Sequence, residues 1–77
     1  MPLKLNQTEK LQKFVNTQYT KIWSLSSKKK FFKAYIIADK TLDGVQTNFT
    51  DADKEIITSL TIRLENTMMS LMISNEE

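Results

Sequence analysis

One glycine (Gly44) and one proline (Pro2) serve all 77 residues. Average usage would place several of each in a chain of this length. A β-rich domain reverses direction every few residues and draws on glycine, proline and asparagine to do so. A helical fold needs only two or three reversals. The sequence therefore predicts an all-α fold, a small three-helix domain with helices near residues 6–24, 27–42 and 50–74, in one domain spanning 1–77.

A chain this short buries a smaller share of its surface than a larger domain, so its stability margin is thin. Natural domains of this size usually add disulfides, a metal or a partner subunit. Cysteine and histidine are both absent. That removes disulfides and the usual ligands of zinc, haem and iron–sulfur sites, so no cofactor and no metal is expected. Self-association is the expected supplement, most simply a symmetric homodimer.

The same absences argue against catalysis. There is no imidazole for proton transfer near neutral pH, no thiol nucleophile and no glycine-rich phosphate loop. The "DADKE" run at residues 51–55 has the first acids of a calcium loop. It lacks the later glycine and the bidentate glutamate, and reads as helix-capping acids. The chain is not expected to be an enzyme. "MPLKLNQTEK" lacks the apolar core of a secretory signal, and no apolar run nears the ~18 residues of a membrane span. A cytoplasmic location without membrane contact is expected. Ten lysines beside a single arginine fit AT-rich coding, as in a phage, a plasmid or a low-GC genome.

Along the chain, Asn6 and Glu9 have the spacing of a capping box at the start of the first helix. Leu11, Phe14, Val15, Ile22 and Trp23 follow a helical period, with Tyr19 between them. The pattern weakens at "SLSS", residues 24–27, where serines compete for backbone hydrogen bonds. Ser26 or Ser27 is expected to cap the second helix. There Phe31, Ala34, Tyr35, Ala38 and Leu42 share one face, with Phe32, Ile36 and Ile37 at its flanks. Gly44 is expected to end that helix in a left-handed conformation. Thr50 is expected to cap the third helix, with Asp51, Asp53 and Glu55 favoured by its dipole. Ile57, Leu60, Leu64, Met68 and Leu71 form its main stripe. Ile62, Met69 and Ile73 form a second stripe on another side.

Two asymmetries bear on function. Residues 1–42 carry a net charge of +7 and residues 43–77 a net −5, which together give the overall +2. Such a dipole can steer an anionic partner to the amino-terminal half, or join the halves within a monomer or across a dimer. Lys21, Lys28, Lys29, Lys30 and Lys33 are the candidate anion or nucleic-acid contacts. The bland alternative is the wet face of an amphipathic helix. With one arginine and no helix-turn-helix, any nucleic-acid contact would be non-specific. The second asymmetry is "NTMMSLMIS", residues 66–74, which is uncharged and holds three of the four methionines. Methionine adapts to irregular partners. Ile62, Met68, Met69, Met72 and Ile73 are the candidate contacts to a protein partner or to a second copy. The expected function is that of a small non-catalytic interaction or regulatory protein, with nucleic-acid association as the alternative. A helix lying on lipid is disfavoured, because its apolar face is the one the core requires.

The "SLSS" break and the "NFTDADKEI…RLE" opening of the third helix resemble the Hha/YmoA family of nucleoid modulators, small helical proteins that act by binding a DNA-organising partner. The resemblance covers about half of the chain. "SLTIRLE" stands where that family has an acidic–basic signature, and the preceding loop is longer here. The chain is therefore not assigned to the family. The resemblance implies a way for a protein of this build to act on DNA through a protein partner.

Overall fold

Helical periodicity carries through to the structure. A computed structural model describes the backbone of residues 3–76 and the side chains of residues 7–76. It contains α1 (Leu3–Ser27), α2 (Phe31–Asn48) and α3 (Lys54–Glu76), with no strand among the described residues. The protein is a small all-α domain. α1 and α3 run in the same direction and α2 opposes both. α2 packs along each neighbour, while α1 and α3 meet only narrowly. The bundle measures 48 × 18 × 15 Å, as expected for side-by-side helices when the 25 residues of α1 alone rise about 37 Å.

The core follows the i, i+3/i+4 rule on every helix. α1 contributes Leu11, Val15, Tyr19 and Ile22, and α3 contributes Leu64, Thr67 and Leu71. α2 contributes Ala34, Ala38, Thr41 and Val45. Small residues suit the middle helix, which must approach two neighbours at once. Phe14, Phe31, Tyr35, Leu42, Phe49, Ile57, Leu60 and Met68 pack around this core, half-buried. The dry face read from the sequence of the second helix is the face found.

Five boundaries differ from expectation, each for a local reason. α1 is already helical at Leu3, so Asn6 and Glu9 do not mark its start; the Asn6 side chain lies outside the described residues. α1 also runs through "SLSS" to Ser27, whose hydroxyl donates back to the Ser24 carbonyl at 3.3 Å. Neither serine caps α2. α1 ends in a Schellman motif: Lys30 N–H donates to the Leu25 carbonyl (2.9 Å) and Lys29 N–H to the Ser26 carbonyl (2.9 Å). Lys29 stands at φ 61° in the left-handed position that this motif usually gives to glycine. Lys30 precedes Phe31 at the start of α2 and makes no side-chain capping bond.

Gly44 does not end α2, which continues to Asn48. Its missing side chain instead admits Phe14, whose ring edge would lie 3.2–3.3 Å from a Cβ there. Phe14 then meets Phe49 with ring centroids 5.4 Å apart. The α3 cap is Asp53 rather than Thr50. Asp53 Oδ1 accepts from the backbone N–H groups of Glu55 (2.9 Å) and Ile56 (3.3 Å). The Asp53 N–H donates to Thr8 Oγ1 at 2.9 Å, which ties the start of α3 to the first turns of α1.

Candidate interaction surface

Burial of Leu64, Thr67 and Leu71 fixes how α3 is rotated. The opposite face turns outward and carries Ile62, Asn66, Met69 and Ile73, at intervals of four, three and four residues. Ile62 is 52 %, Met69 62 % and Ile73 58 % exposed, far too open to serve the core. Met72 is also half exposed, toward the α2 side. Met68 separates from this group: it is half-buried and packs on the core, three residues before Leu71. Of the five residues expected to bind a partner, four lie on the outer surface and Met68 supports them from within.

Two apolar grooves flank the strip. On the α1 side a groove of about 360 Å³ runs past Trp23, Ile62, Arg63, Asn66 and Ser70. Trp23, expected to follow the inward period of the first helix, is half exposed. Adjacent residues on a helix point about 100° apart, so the burial of Ile22 turns Trp23 outward. That spacing was the signal available in the sequence. On the α2 side a groove of about 250 Å³ lies between Phe31, Phe32, Tyr35, Leu71 and Met72. Phe32, at 64 %, is the most exposed large apolar side chain among the described residues.

Tyr19 fixes α1 against α3 beneath the strip. Its ring stacks on Trp23 at 5.9 Å between centroids and carries the Arg63 guanidinium 4.5 Å above it. Its hydroxyl meets Thr67 Oγ1 at 3.1 Å. Thr67 also donates to the Arg63 carbonyl at 2.8 Å. Because Thr67 has one hydroxyl proton and gives it to that carbonyl, Tyr19 must be the donor of the other bond.

The lysines gather elsewhere. Lys33, Ile37, Lys40 and Gly44 share the flank of α2 that faces α1, as the approach of Phe14 to Gly44 shows. Lys21 follows Phe14 and Gln18 on the matching flank of α1, beside a groove lined by Phe14, Gln18, Ile37, Lys40 and Thr41. Lys28, Lys29 and Lys30 form the turn that joins these two helices. All of these lysines are exposed. No close ion pair joins the basic and acidic halves among the described residues.

Among the described residues no three acids converge as a metal site, and no helix is long and apolar enough to cross a membrane. No protein-family model, curated protein or solved structure matches the chain.

Proposed function

We propose that this is a small, non-catalytic cytosolic interaction protein that docks on a larger protein, or on its own copy, through the outer face of α3. The observation that carries this reading is the row of Ile62, Met69 and Ile73 on the side of α3 opposite the core, continued by Met72. Exposed apolar strips of this kind mark interaction sites in soluble proteins. Replacing Met69 and Met72 together by Asp tests it. Both side chains are exposed, so helical circular dichroism and melting should barely change, within about 0.5 kcal/mol per site. Self-association and capture of a larger partner should both be lost. If both persist unchanged, the surface is not the working one.

A second reading is supported by the turn between α1 and α2. A lysine occupies a left-handed position there, where an L-residue costs about 1–2 kcal/mol over glycine. The lysines around it have no ionic partners within the described chain. Non-specific contact with nucleic-acid phosphates would use Lys21, Lys28, Lys29, Lys30 and Lys33, with affinity falling steeply as salt rises. Lys29→Gly should raise stability by about 1 kcal/mol, after allowing for the greater freedom of glycine in the unfolded chain. That corresponds to a melting increase of roughly 4–8 °C for a domain of this size. In anisotropy titrations with duplex DNA the same variant should bind more weakly and lose about one unit of salt slope. Absence of any wild-type binding at low salt would remove this reading.

A further inference from the structure

We infer that the occupant of the outer face of α3 is a second copy of this chain, its own α3 lying antiparallel so that Ile62 of each faces Ile73 of the other. This rests on the docking-surface reading above and names the partner. Ile62, Asn66, Met69 and Ile73 alternate by four, three and four residues. That is the step by which two helices interlock side chains along a shared seam. A flat or irregular target would not call for it. A helix with the same step does, and the chain supplies one.

Charge supports a like partner. From Asn66 to Asn75 the sequence has no charged residue, so two copies meet there without opposing like charges. Orientation follows from the ends of the seam. The same face continues to Glu55, seven residues before Ile62, and to Glu76, seven residues after Met69. A parallel pair would set Glu55 on Glu55 and Glu76 on Glu76. An antiparallel pair with its two-fold axis between Thr67 and Met68 sets Ile62 against Ile73 and Asn66 against Met69. It also moves Glu76 opposite Ser59 and opposes the two helix dipoles, which is favourable. The cost is like charge at two places: both Glu65 side chains share one flank, and each Glu76 lies one turn from Glu55 of the other copy. The axial offsets are about five and four residues, about 7.5 and 6 Å at 1.5 Å per residue, where salt screens them.

The seam is short, and Trp23 on one flank and Met72 with Phe32 on the other widen it. A dissociation constant in the micromolar range is expected. It should not weaken as salt rises, because the contact is apolar and its like-charge pairs are screened by salt. This separates it from head-to-tail pairing of the basic half of one copy with the acidic half of another. The basic flank of α1 and α2 lies away from the α3 seam, so both surfaces stay usable in the dimer.

Sedimentation equilibrium of the full chain across the micromolar range, at low and high salt, is the first measurement. Trp23 is the only tryptophan, so its emission should shift to the blue as the dimer forms. Met69→Asp should weaken association by about tenfold or more, as expected for a central interface residue. The chain has no cysteine, so introduced thiols report cleanly. Ile62→Cys and Ile73→Cys chains, mixed and oxidised, should link to each other, while Ile62→Cys alone should not link to itself. Three results would overturn the inference: a monomer at all concentrations, a dimer indifferent to Met69→Asp, or a dimer that dissociates as salt rises. Preferential self-linking of Ile62→Cys would overturn it too, in favour of a parallel pair. With a monomeric wild type, the broader docking reading survives if the Met69→Asp, Met72→Asp protein has lost capture of a larger partner, and fails with it otherwise.

Discussion

Leu64→Ala should lower the unfolding free energy by about 2–5 kcal/mol, the range for a buried leucine cut back to alanine. Leu64 is wholly buried in the middle of α3. α2 presents Ala34 and Ala38 to the core, and neither has side-chain length to fill a void, so the cavity should persist. For 77 residues, typical stability is about 4–12 kcal/mol at roughly 0.05–0.15 kcal/mol per residue. One methyl-rich side chain therefore accounts for a large share of the margin. Urea unfolding followed by far-ultraviolet circular dichroism should show a lower midpoint with an unchanged slope. Ile62→Ala, two residues away but half exposed, should change the stability of the monomer by only about 0.5 kcal/mol or less. A loss below about 1 kcal/mol for Leu64→Ala would mean that α3 is not seated on the core as described.

Thr67→Val should cost more than Tyr19→Phe, although each removes one hydroxyl from the same hydrogen bond. The direction of donation sets the difference. Thr67 gives its proton to the Arg63 carbonyl and accepts from Tyr19. Valine keeps the shape but leaves the buried Tyr19 O–H without an acceptor, a loss of about 1–3 kcal/mol. Phenylalanine leaves the Thr67 donation intact and forfeits only the net bond, about 0.5–1.5 kcal/mol. The ring contacts with Trp23 and Arg63 survive that change. The double variant should fall short of the sum, since neither partner is then left unpaired. Denaturant unfolding of the three variants decides it. Equal losses, or a larger one for Tyr19→Phe, would reverse the assigned donor.

The fold class was readable because Gly and Pro are scarce and apolar residues keep a helical step over most of the chain. The inward faces followed from the same step: Leu64 and Leu71 on α3, Ala34 and Ala38 on α2. The punctuation was harder to read, for specific reasons. Gly44 has the identity of a helix stop, yet its use is to admit Phe14 from another helix, which no local pattern reveals. Lys29 fills a glycine position without being glycine, so residue type hid the true end of α1. Thr50 and Asp53 both have capping side chains, and the tie from Asp53 to Thr8 decides between them through a tertiary contact. The outer strip was visible as a second apolar stripe at Ile62, Met69 and Ile73. Its isolation from the core was not, because that depends on how α2 and α1 rotate α3. Met68 shows the limit of composition: it belongs to the methionine-rich run but faces the other way.

The arrangement of one middle helix between two chain neighbours also bears on the order of events during folding. α1 meets α2, and α2 meets α3, across short turns, so most packing joins segments close in the chain. Such topologies fold quickly, in microseconds to milliseconds. The bond between Tyr19 and Thr67 spans 48 positions and, with the Thr8–Asp53 tie and the Arg63–Tyr19 contact, is one of the few links from α1 to α3. Contacts so distant in the chain cost the most loop-closure entropy and are expected to form late. The loss caused by Thr67→Val should then appear as faster unfolding with a nearly unchanged refolding rate. The Tyr19 hydroxyl thus acts as a latch on the lifetime of the closed bundle rather than as a guide to its assembly.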